Sequence, residues 1–414
     1  SVRPGPCSLF KAYQFMNSSF LRIALVLGLL SAVGPFSIDM YLPALPSIGT
    51  DMDASIGAVQ ASLMAYFVAM GAGQIIYGPV SDMVGRRLPM YFGLTLFCIG
   101  SVGCALAPDV HSLIALRFVQ GLGACACVVI PRAIVRDLYT GHEAARVMAL
   151  LMLVFSVSPI LAPLAGSLLV EFSGWRSIFW VIAAIAVAAL VLVATSLRET
   201  RPKEQRSASG LRSALAAYGV LLRDRTFLGM VFIGAFGVSS FFTYLANSPF
   251  VLITHFGLSS RQYGLAFAVN AAAFIGASQL TGRFGKRLGL ARLVKFAMVG
   301  YAAAMLSLLL LNLLGVDRLV PLLVLLFIGF GFLGLAMPSS AVLALDRHGA
   351  IAGTASALMG MFQFVTGALV MAAVGLFVDG SSRPMVVGIG TCAVLALVIS
   401  HLTLSTASPQ RHTA

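Results

Sequence analysis

The sequence predicts an all-α membrane protein in which twelve transmembrane helices form two six-helix bundles. Three observations predict it: an apolar composition, twelve apolar segments of spanning length, and an echo between the two halves of the chain. Of 414 residues, 59% are hydrophobic and 10% charged, and the mean hydropathy is +0.97. A soluble domain carries about 25% charged residues, so this chain lacks the polar skin that about three soluble domains would need. The solvent facing most of its surface is lipid. A soluble enzyme, a secreted domain and a disordered chain are excluded.

Spanning a bilayer takes about 20 apolar residues per helix. Apolar segments fall at 20–48, 55–77, 88–107, 112–131, 147–169, 177–196, 227–252, 263–281, 291–313, 319–345, 353–378 and 384–405. Most are apolar on every side, as helices between lipid and neighbouring helices are. The first segment follows Arg3 and Lys11 in the manner of a signal peptide, but it is too long and lacks a small-residue cleavage pattern. It is read as a retained span. Residues 1–19 are expected to form a disordered cytoplasmic arm, 20–196 the first bundle, 197–226 a cytoplasmic linker, 227–405 the second bundle, and 406–414 a tail.

Lysine and arginine set the orientation. With the N-terminus inside, 22 of the 27 basic residues fall in inner segments. Arg176, Arg261, Arg318 and Arg383 fall in outer loops, and Arg117 lies within the fourth span. The net charge of +13 is therefore a topology signal, not a nucleic-acid footprint. Both termini are expected in the cytoplasm.

The linker separates the spans six and six. Its second half places Leu211, Leu215, Tyr218 and Leu222 on one helical face, which fits a helix lying on the membrane surface. The loop Gly78-Pro79-Val80-Ser81-Asp82-Met83-Val84-Gly85-Arg86-Arg87 follows the second span, and Gly282-Arg283-Phe284-Gly285-Lys286-Arg287 follows the eighth. Such an echo in a chain of six plus six spans points to parallel repeats and alternating access.

Cofactor and metal chemistry find no support. Gly329-Phe330-Gly331-Phe332-Leu333-Gly334 matches G-x-G-x-x-G but lies inside an apolar span with no preceding strand. No P-loop pattern occurs, and the six histidines lack metal-ligand spacing. Five of the six cysteines lie in apolar runs, where they serve as small buried hydrophobes. No cofactor, no metal and no enzymatic activity are expected.

Two charges lie within spans: Asp39 in the first and Arg117 in the fourth. A charge at mid-helix costs about 2.5–3.5 kcal/mol on insertion scales, and at 1.5 Å per residue the two sit at similar depth. A cavity-facing relationship between them is expected. Arginine can snorkel to the headgroups; aspartate, with its short side chain, cannot. In the loop after the second span, Gly78 is expected to permit close helix contact, Asp82 to sit against a helix N-terminus where the dipole favours an anion, and Arg86 and Arg87 to face the inner surface.

The stretch Gly78 to Arg87 resembles the signature loop of the major facilitator superfamily. Leu116-Arg117-Phe118-Val119-Gln120-Gly121-Leu122-Gly123 resembles its fourth-helix motif, and Ser158-Pro159-Ile160-Leu161-Ala162-Pro163-Leu164-Ala165-Gly166 its fifth-helix antiporter motif. More narrowly, Ser37 to Pro46, Arg136-Asp137-Leu138-Tyr139, Gly174-Trp175-Arg176 and Ala352 to Ser356 resemble the Bcr/CflA-type drug-resistance transporters, which include bicyclomycin and chloramphenicol exporters of bacterial inner membranes. Met83 departs from the signature loop, and Ala162 and Ser167 replace glycines of the fifth-helix motif.

The resemblance implies a proton-coupled antiporter that exports small-molecule drugs through the lipid bilayer; a proton-coupled importer of a small metabolite is the alternative, and the chain is expected to be monomeric. In that reading Asp39 binds the proton, and Arg117 tunes Asp39 or holds a polar group of the cargo. Tyr66, Phe241 and Tyr244 line the pocket, with Asn247 and Asn270 as polar anchors. Gly78, Asp82, Gly85, Arg86 and Arg87 latch the two bundles on the inner side. Pro159, Pro163 and Gly166 shape the fifth helix at the bundle interface.

Overall fold

The computed structural model describes residues 6–206 and 211–406. Twelve long helices carry the architecture: α1 (Pro6–Asp39), α2 (Ile56–Val84), α3 (Arg87–Leu106), α4 (Val110–Leu138), α5 (Gly141–Ser173), α6 (Arg176–Ser196), α7 (Arg225–Pro249), α8 (Ser260–Leu288), α9 (Leu290–Leu313), α10 (Leu319–Leu345), α11 (Ala352–Gly375) and α12 (Arg383–Thr406). Among the described residues, twelve stretches are long and apolar enough to cross a membrane. The first of these, Arg22–Asp51, finishes in a 3-10 turn (Leu42–Ala44) and a short helix (Leu45–Asp51).

Local chemistry explains the helix starts. Free N–H groups at a helix N-terminus need an acceptor. Ser55 caps α2 by accepting from the Ala58 amide, and Asp109 caps α4 by accepting from the Ser112 amide at 2.9 Å. Asp224 caps α7 through Thr226 and Phe227. Ser259 and Gln262 form a reciprocal capping box at α8. The first helix begins at Pro6, not near residue 20 as expected. Proline suits a first helical turn because its missing N–H needs no partner there, and no breaker separates Pro6 from the apolar run. Residues 1–5 and 407–414 lie outside the described residues.

The halves repeat one packing scheme. In the first, α4 packs on α1, α2 and α3, α6 on α1 and α3, and α5 on α1. In the second, α10 packs on α7, α8 and α9, α12 on α7 and α9, and α11 on α7. Adding six to each helix of the first half gives the second. The halves meet through α2 with α11 and α5 with α8, which the same shift exchanges. This is the parallel repeat expected from the sequence.

Small residues permit the close approaches. A Cβ at Gly123 would strike the backbone of Phe97 and Gly93, and one at Gly334 would strike the Phe274 carbonyl. The G-x-G-x-x-G stretch is thus a helix-packing feature of α10. Within the linker, Leu211–Leu221 is helical, but Tyr218 and Leu221 are its inward residues, while Leu215 and Leu222 are exposed. The helix docks on α11, so its inner face is set by that contact rather than by the stripe expected.

Candidate transport site

Three charged side chains are buried among the described residues: Asp39, Arg86 and Arg117. Each has a different solution to its burial.

Asp39 ends α1. Its carboxylate accepts a hydrogen bond from Ser158 Oγ of α5 at 3.2 Å, and α5 is the first-half helix that packs on α8. It therefore stands where the two halves meet. Ser158 directly precedes Pro159, and both Pro159 and Pro163 lie inside α5. Proline removes an intrahelical hydrogen bond, and Gly166 lets this helix run against the chain after Asp39, since a Cβ there would collide with the Met40 carbonyl. Gly166 thus permits the close approach of α5 to the acid-bearing turn, and Pro159 and Pro163 lie in the same helix.

Arg117 is fully buried but makes no ion pair with Asp39. Equal depth did not bring them together, because Arg117 points to the interior of the first bundle. Its guanidinium lies 4.4 Å from the ring centroids of both Tyr41 and Tyr66, with Phe179 of α6 at 5.9 Å. Cation–π contacts of this kind offset part of the desolvation of a buried cation. Nη1 donates to Gln120 Oε1 at 2.6 Å and to the Ser37 carbonyl at 3.4 Å, and Gln120 donates onward to Ser101. Arg117 Nε and Nη2 are left without a hydrogen-bond partner.

The expected pocket residues separate into three roles. Tyr66 is fully buried beneath Arg117 and hydrogen-bonds Ser37 at 2.7 Å; it supports the cation instead of lining a pocket. Phe241 and Tyr244 do share one aromatic cluster, with Phe267 and Phe330. Asn270 donates to Tyr244 Oη at 3.3 Å, and its Oδ1 has no partner. Asn247 instead ties the halves: Gln60 of α2 donates to Asn247 Oδ1 at 3.0 Å and to the Ala246 carbonyl at 3.1 Å. Ser167 of α5 donates to the Ser260 carbonyl of α8 at the same end. Midway, Phe67 of α2 stacks on Phe242 of α7 at 4.1 Å.

At the opposite, arginine-rich end lies the loop expected to latch the bundles. Arg86 forms a fork with Asp137 of α4 (Nε to Oδ2 2.7 Å, Nη2 to Oδ1 3.1 Å), and its Nη1 meets Asp82 and Ser81 at 2.7 Å each. Burial opposes the Arg86 charge; the hydrogen bonds to Asp137 and the charges of Asp82 and Asp137 outweigh it and hold the pKa above the ordinary arginine value. Arg201 of the linker also meets Asp82, at 3.2 Å.

Two expectations change here. Asp82 does not sit at a helix N-terminus; it lies in the last turn of α2. Glu199 takes that position, accepting from the Arg86 amide at 2.9 Å and the Arg87 amide at 3.3 Å at the start of α3. Burial pushes the Glu199 carboxyl up, but the backbone amides of Arg86, Arg201 and Arg87 and the charge of Arg206 outweigh it and hold the pKa below the ordinary glutamate value. Gly85, at φ +100°, is where the chain must turn, and a Cβ there would meet Glu199 Oε2 and Arg206. The network therefore joins α2, α3, α4 and the linker, all outside the second bundle. Gly78 has nothing within 4 Å of a would-be Cβ; it faces a cavity rather than a helix. Arg87 turns to Tyr91.

That cavity, of about 650 Å³, lies between the halves at the arginine-rich end, walled by α2, α4, α11 and the linker helix. The far end is tied by direct hydrogen bonds and the arginine-rich end is hollow. Asp39 is not part of the cavity wall. Among the described residues no cluster of His, Cys, Asp and Glu is suited to hold a metal ion.

The profile described as Major Facilitator Superfamily matches residues 27–371. The chain belongs to the major facilitator superfamily. Within it, the chain is 38% identical over 358 residues to an uncharacterized MFS-type transporter, YdgK, of Bacillus subtilis, covering 86% of this chain and 89% of that one. It is 30% identical over 389 residues to a bicyclomycin resistance protein homolog of Haemophilus influenzae, covering 94% and 97%. Multidrug resistance protein MdtL of Escherichia coli is 35% identical over 254 residues, covering 61% and 63%. The fold is shared with solved transporters, among them a D-xylose-proton symporter (TM-score 0.72, 16% identity, 94% and 98% coverage) and the nucleoside transporter NupG (TM-score 0.73, 12% identity, 94% and 100% coverage).

For this superfamily member, sequence reasoning missed Glu199, Gln60 and Tyr41. Glu199 carried a signal, since it falls in the charged run Arg198-Glu199-Thr200-Arg201 directly after a span. Gln60 had a weaker one, an amide within an apolar segment. Tyr41 lies within the stretch Ser37 to Pro46, and its contact with Arg117 depends on how the first and fourth spans rotate against each other.

Proposed function

We propose that the chain exports drug-like molecules across the bacterial inner membrane in exchange for protons, by alternating access. The carrying observation is Asp39, the one buried carboxylate among the described residues, held between the halves by Ser158 of the proline-bearing α5. A proton taken from the outer side neutralises Asp39, and the neutral acid tolerates burial that the carboxylate opposes. Release towards the cytoplasm restores the charge. Arg117, caged by Tyr41 and Tyr66, fixes a positive field in the first bundle and tunes that exchange at a distance. The cluster of Phe241, Tyr244 and Asn270 supplies cargo contacts from the second bundle, with the unpartnered Asn270 Oδ1 as the polar anchor.

Orientation follows the basic residues: the arginine-rich end and both termini lie in the cytoplasm. Gln60, Asn247, Ser167 and Ser260 then form the outer closure, and the hollow end opens inward. The signature loop acts as a latch by holding Asp82, Arg86, Asp137 and the linker in one rigid block, against which the second bundle closes. The relatives' names, a bicyclomycin resistance protein homolog and a multidrug resistance protein, support export of drugs. One proton entering down 100 mV supplies about 2.3 kcal/mol, which sustains roughly a fifty-fold cargo gradient. The test is a drug-susceptibility panel in an efflux-deficient bacterium expressing the chain, with and without an uncoupler. Raised resistance that the uncoupler abolishes is expected. Unchanged susceptibility together with uptake of a metabolite into cells would overturn export in favour of import.

A further inference from the structure

We propose that a groove between α11 and α12, at the end opposite the arginine-rich cavity, binds one phospholipid whose headgroup carries both a phosphate and a free ammonium, with an acyl chain laid along the groove. The inference is independent of the direction and coupling of transport.

Both helices pack on α7, but α11 turns to α2 and α12 to α9, and contact between α11 and α12 themselves is sparse. The space left between them measures about 460 Å³, within the range of small-molecule pockets. Its wall is apolar, with Val370, Ala373 and Phe377 on one side and Val387 and Leu395 on the other. Phe377, Val387 and Leu395 are exposed, so the groove opens sideways, away from the protein and into the membrane. Its floor is close-packed: a Cβ on Gly388 would lie 2.5 Å from Val374 Cγ2 and 3.2 Å from Thr243 Cγ2 of α7. The groove is therefore a recess and not a passage to Asp39. Arg383 at its rim and Leu395 at its far end stand about 18 Å apart along α12 at 1.5 Å per residue. One leaflet's hydrocarbon is about 15 Å deep, half of a core of about 30 Å. The length suits a single acyl chain with its headgroup at the rim.

Lipid tails are as apolar as leucine, so the wall gives little preference among lipids. The rim decides. Its charged residues are Asp379 and Arg383. Asp379 Oδ1 accepts from the Ser381 amide at 2.9 Å and from the Ser381 hydroxyl at 2.6 Å. The Ser381 hydroxyl and amide hold the Asp379 carboxyl below the ordinary aspartate value, with a smaller pull from Arg383, so the rim carries an anion at neutral pH. Arg383 engages the chain through its backbone amide, which donates to Ser381 Oγ at 3.3 Å; among the described residues its guanidinium makes no hydrogen bond and closes no salt bridge with Asp379. The first repeat shows the contrast. Arg176, at the start of α6, is bound within the chain, to Asp51 at 2.6 Å and over the Trp175 ring at 4.2 Å. A rim with one open cation beside one anion matches a headgroup bearing both signs. Phosphatidylethanolamine offers its phosphate to Arg383 and an N–H-donating ammonium to Asp379. Phosphatidylglycerol lacks the cation, and the quaternary ammonium of phosphatidylcholine has no N–H to donate.

The full chain, stripped of lipid in detergent, is titrated with phosphatidylethanolamine, phosphatidylcholine or phosphatidylglycerol of identical acyl chains, and bound lipids are counted by native mass spectrometry. One phosphatidylethanolamine is expected to bind roughly fivefold tighter than either of the others, the worth of about one charge at a membrane surface. Asp379→Asn should erase the preference over phosphatidylglycerol. Arg383→Gln should weaken binding of all three lipids. Thr391→Trp, which fills the groove from an exposed position on its wall, should abolish the tight site. Because the headgroup comparison is read on the unaltered chain, a variant that fails to fold leaves the proposal testable. An affinity for phosphatidylethanolamine no higher than for either of the others would mark an ordinary lipid annulus and overturn the proposal. A preference unmoved by Asp379→Asn, or a tight site that survives Thr391→Trp, would place the lipid elsewhere and overturn it as well.

Discussion

Asp137→Asn and Asp82→Asn both remove one carboxylate from Arg86, and the structure separates their costs. The Arg86 side chain is 3% exposed, Asp137 15% and Asp82 39%. Asp137 supplies a two-point fork in a nearly dry setting. Removing one partner of a buried pair costs about 3–5 kcal/mol when the other charge is left alone. Arg86 keeps Asp82 and Ser81, so the expected loss for Asp137→Asn is about 2–3 kcal/mol. Asp82 is more than a third exposed and solvent screens it, so Asp82→Asn should cost about 0.5–1 kcal/mol. At about 2–4 °C per kcal/mol for a chain of moderate length, thermal unfolding of the purified protein should fall by roughly 4–12 °C for Asp137→Asn and by roughly 1–4 °C for Asp82→Asn. Turnover should slow in both, with the affinity for a neutral drug nearly unchanged, because neither residue touches the Asp39 region. A drop for Asp82→Asn as large as that for Asp137→Asn would refute the burial argument.

Gln60→Ala removes two hydrogen bonds from the outer closure and leaves Asn247 Oδ1 buried without its donor. At about 1 kcal/mol for each net hydrogen bond, the equilibrium should shift roughly tenfold or more towards the outward-open form, seen as longer distances between spin labels on the far ends of α2 and α7; unchanged distances would contradict the closure. Glu199 has a lowered pKa in the folded chain, so its stabilisation is complete above the ordinary glutamate range and is lost as pH falls through the lowered value. Glu199→Gln should therefore melt earlier than the parent at pH 7, and the gap should narrow below about pH 4; a gap independent of pH would exclude a charge effect.

Much of the fold was legible in the sequence because lipid imposes a simple rule: a span must be apolar for its full length and satisfy its own backbone. That rule located the twelve spans and the division at the linker, and the loops after the second and eighth spans disclosed the repeat. The site was legible in depth but not in rotation. Counting residues put Asp39 and Arg117 at one level, yet a shift of one or two residues around a helix turns a side chain by 100° or more, and Arg117 turned inwards to Tyr41, Tyr66 and Gln120. Partners from distant loops were also out of reach. Glu199 lies 113 residues from Arg86, whose amide it accepts from. In the linker helix, an exposed apolar stripe and a docked one read alike until α11 is in place.

The central claim is that Asp39 couples protons to drug export. The direct measurement is transport of a drug into inverted proteoliposomes containing the purified chain, under an imposed pH gradient, for the parent and Asp39→Asn. The account predicts uphill accumulation by the parent, collapsing with an uncoupler, and no uphill accumulation by Asp39→Asn while downhill drug exchange persists. Undiminished uphill accumulation by Asp39→Asn would contradict it.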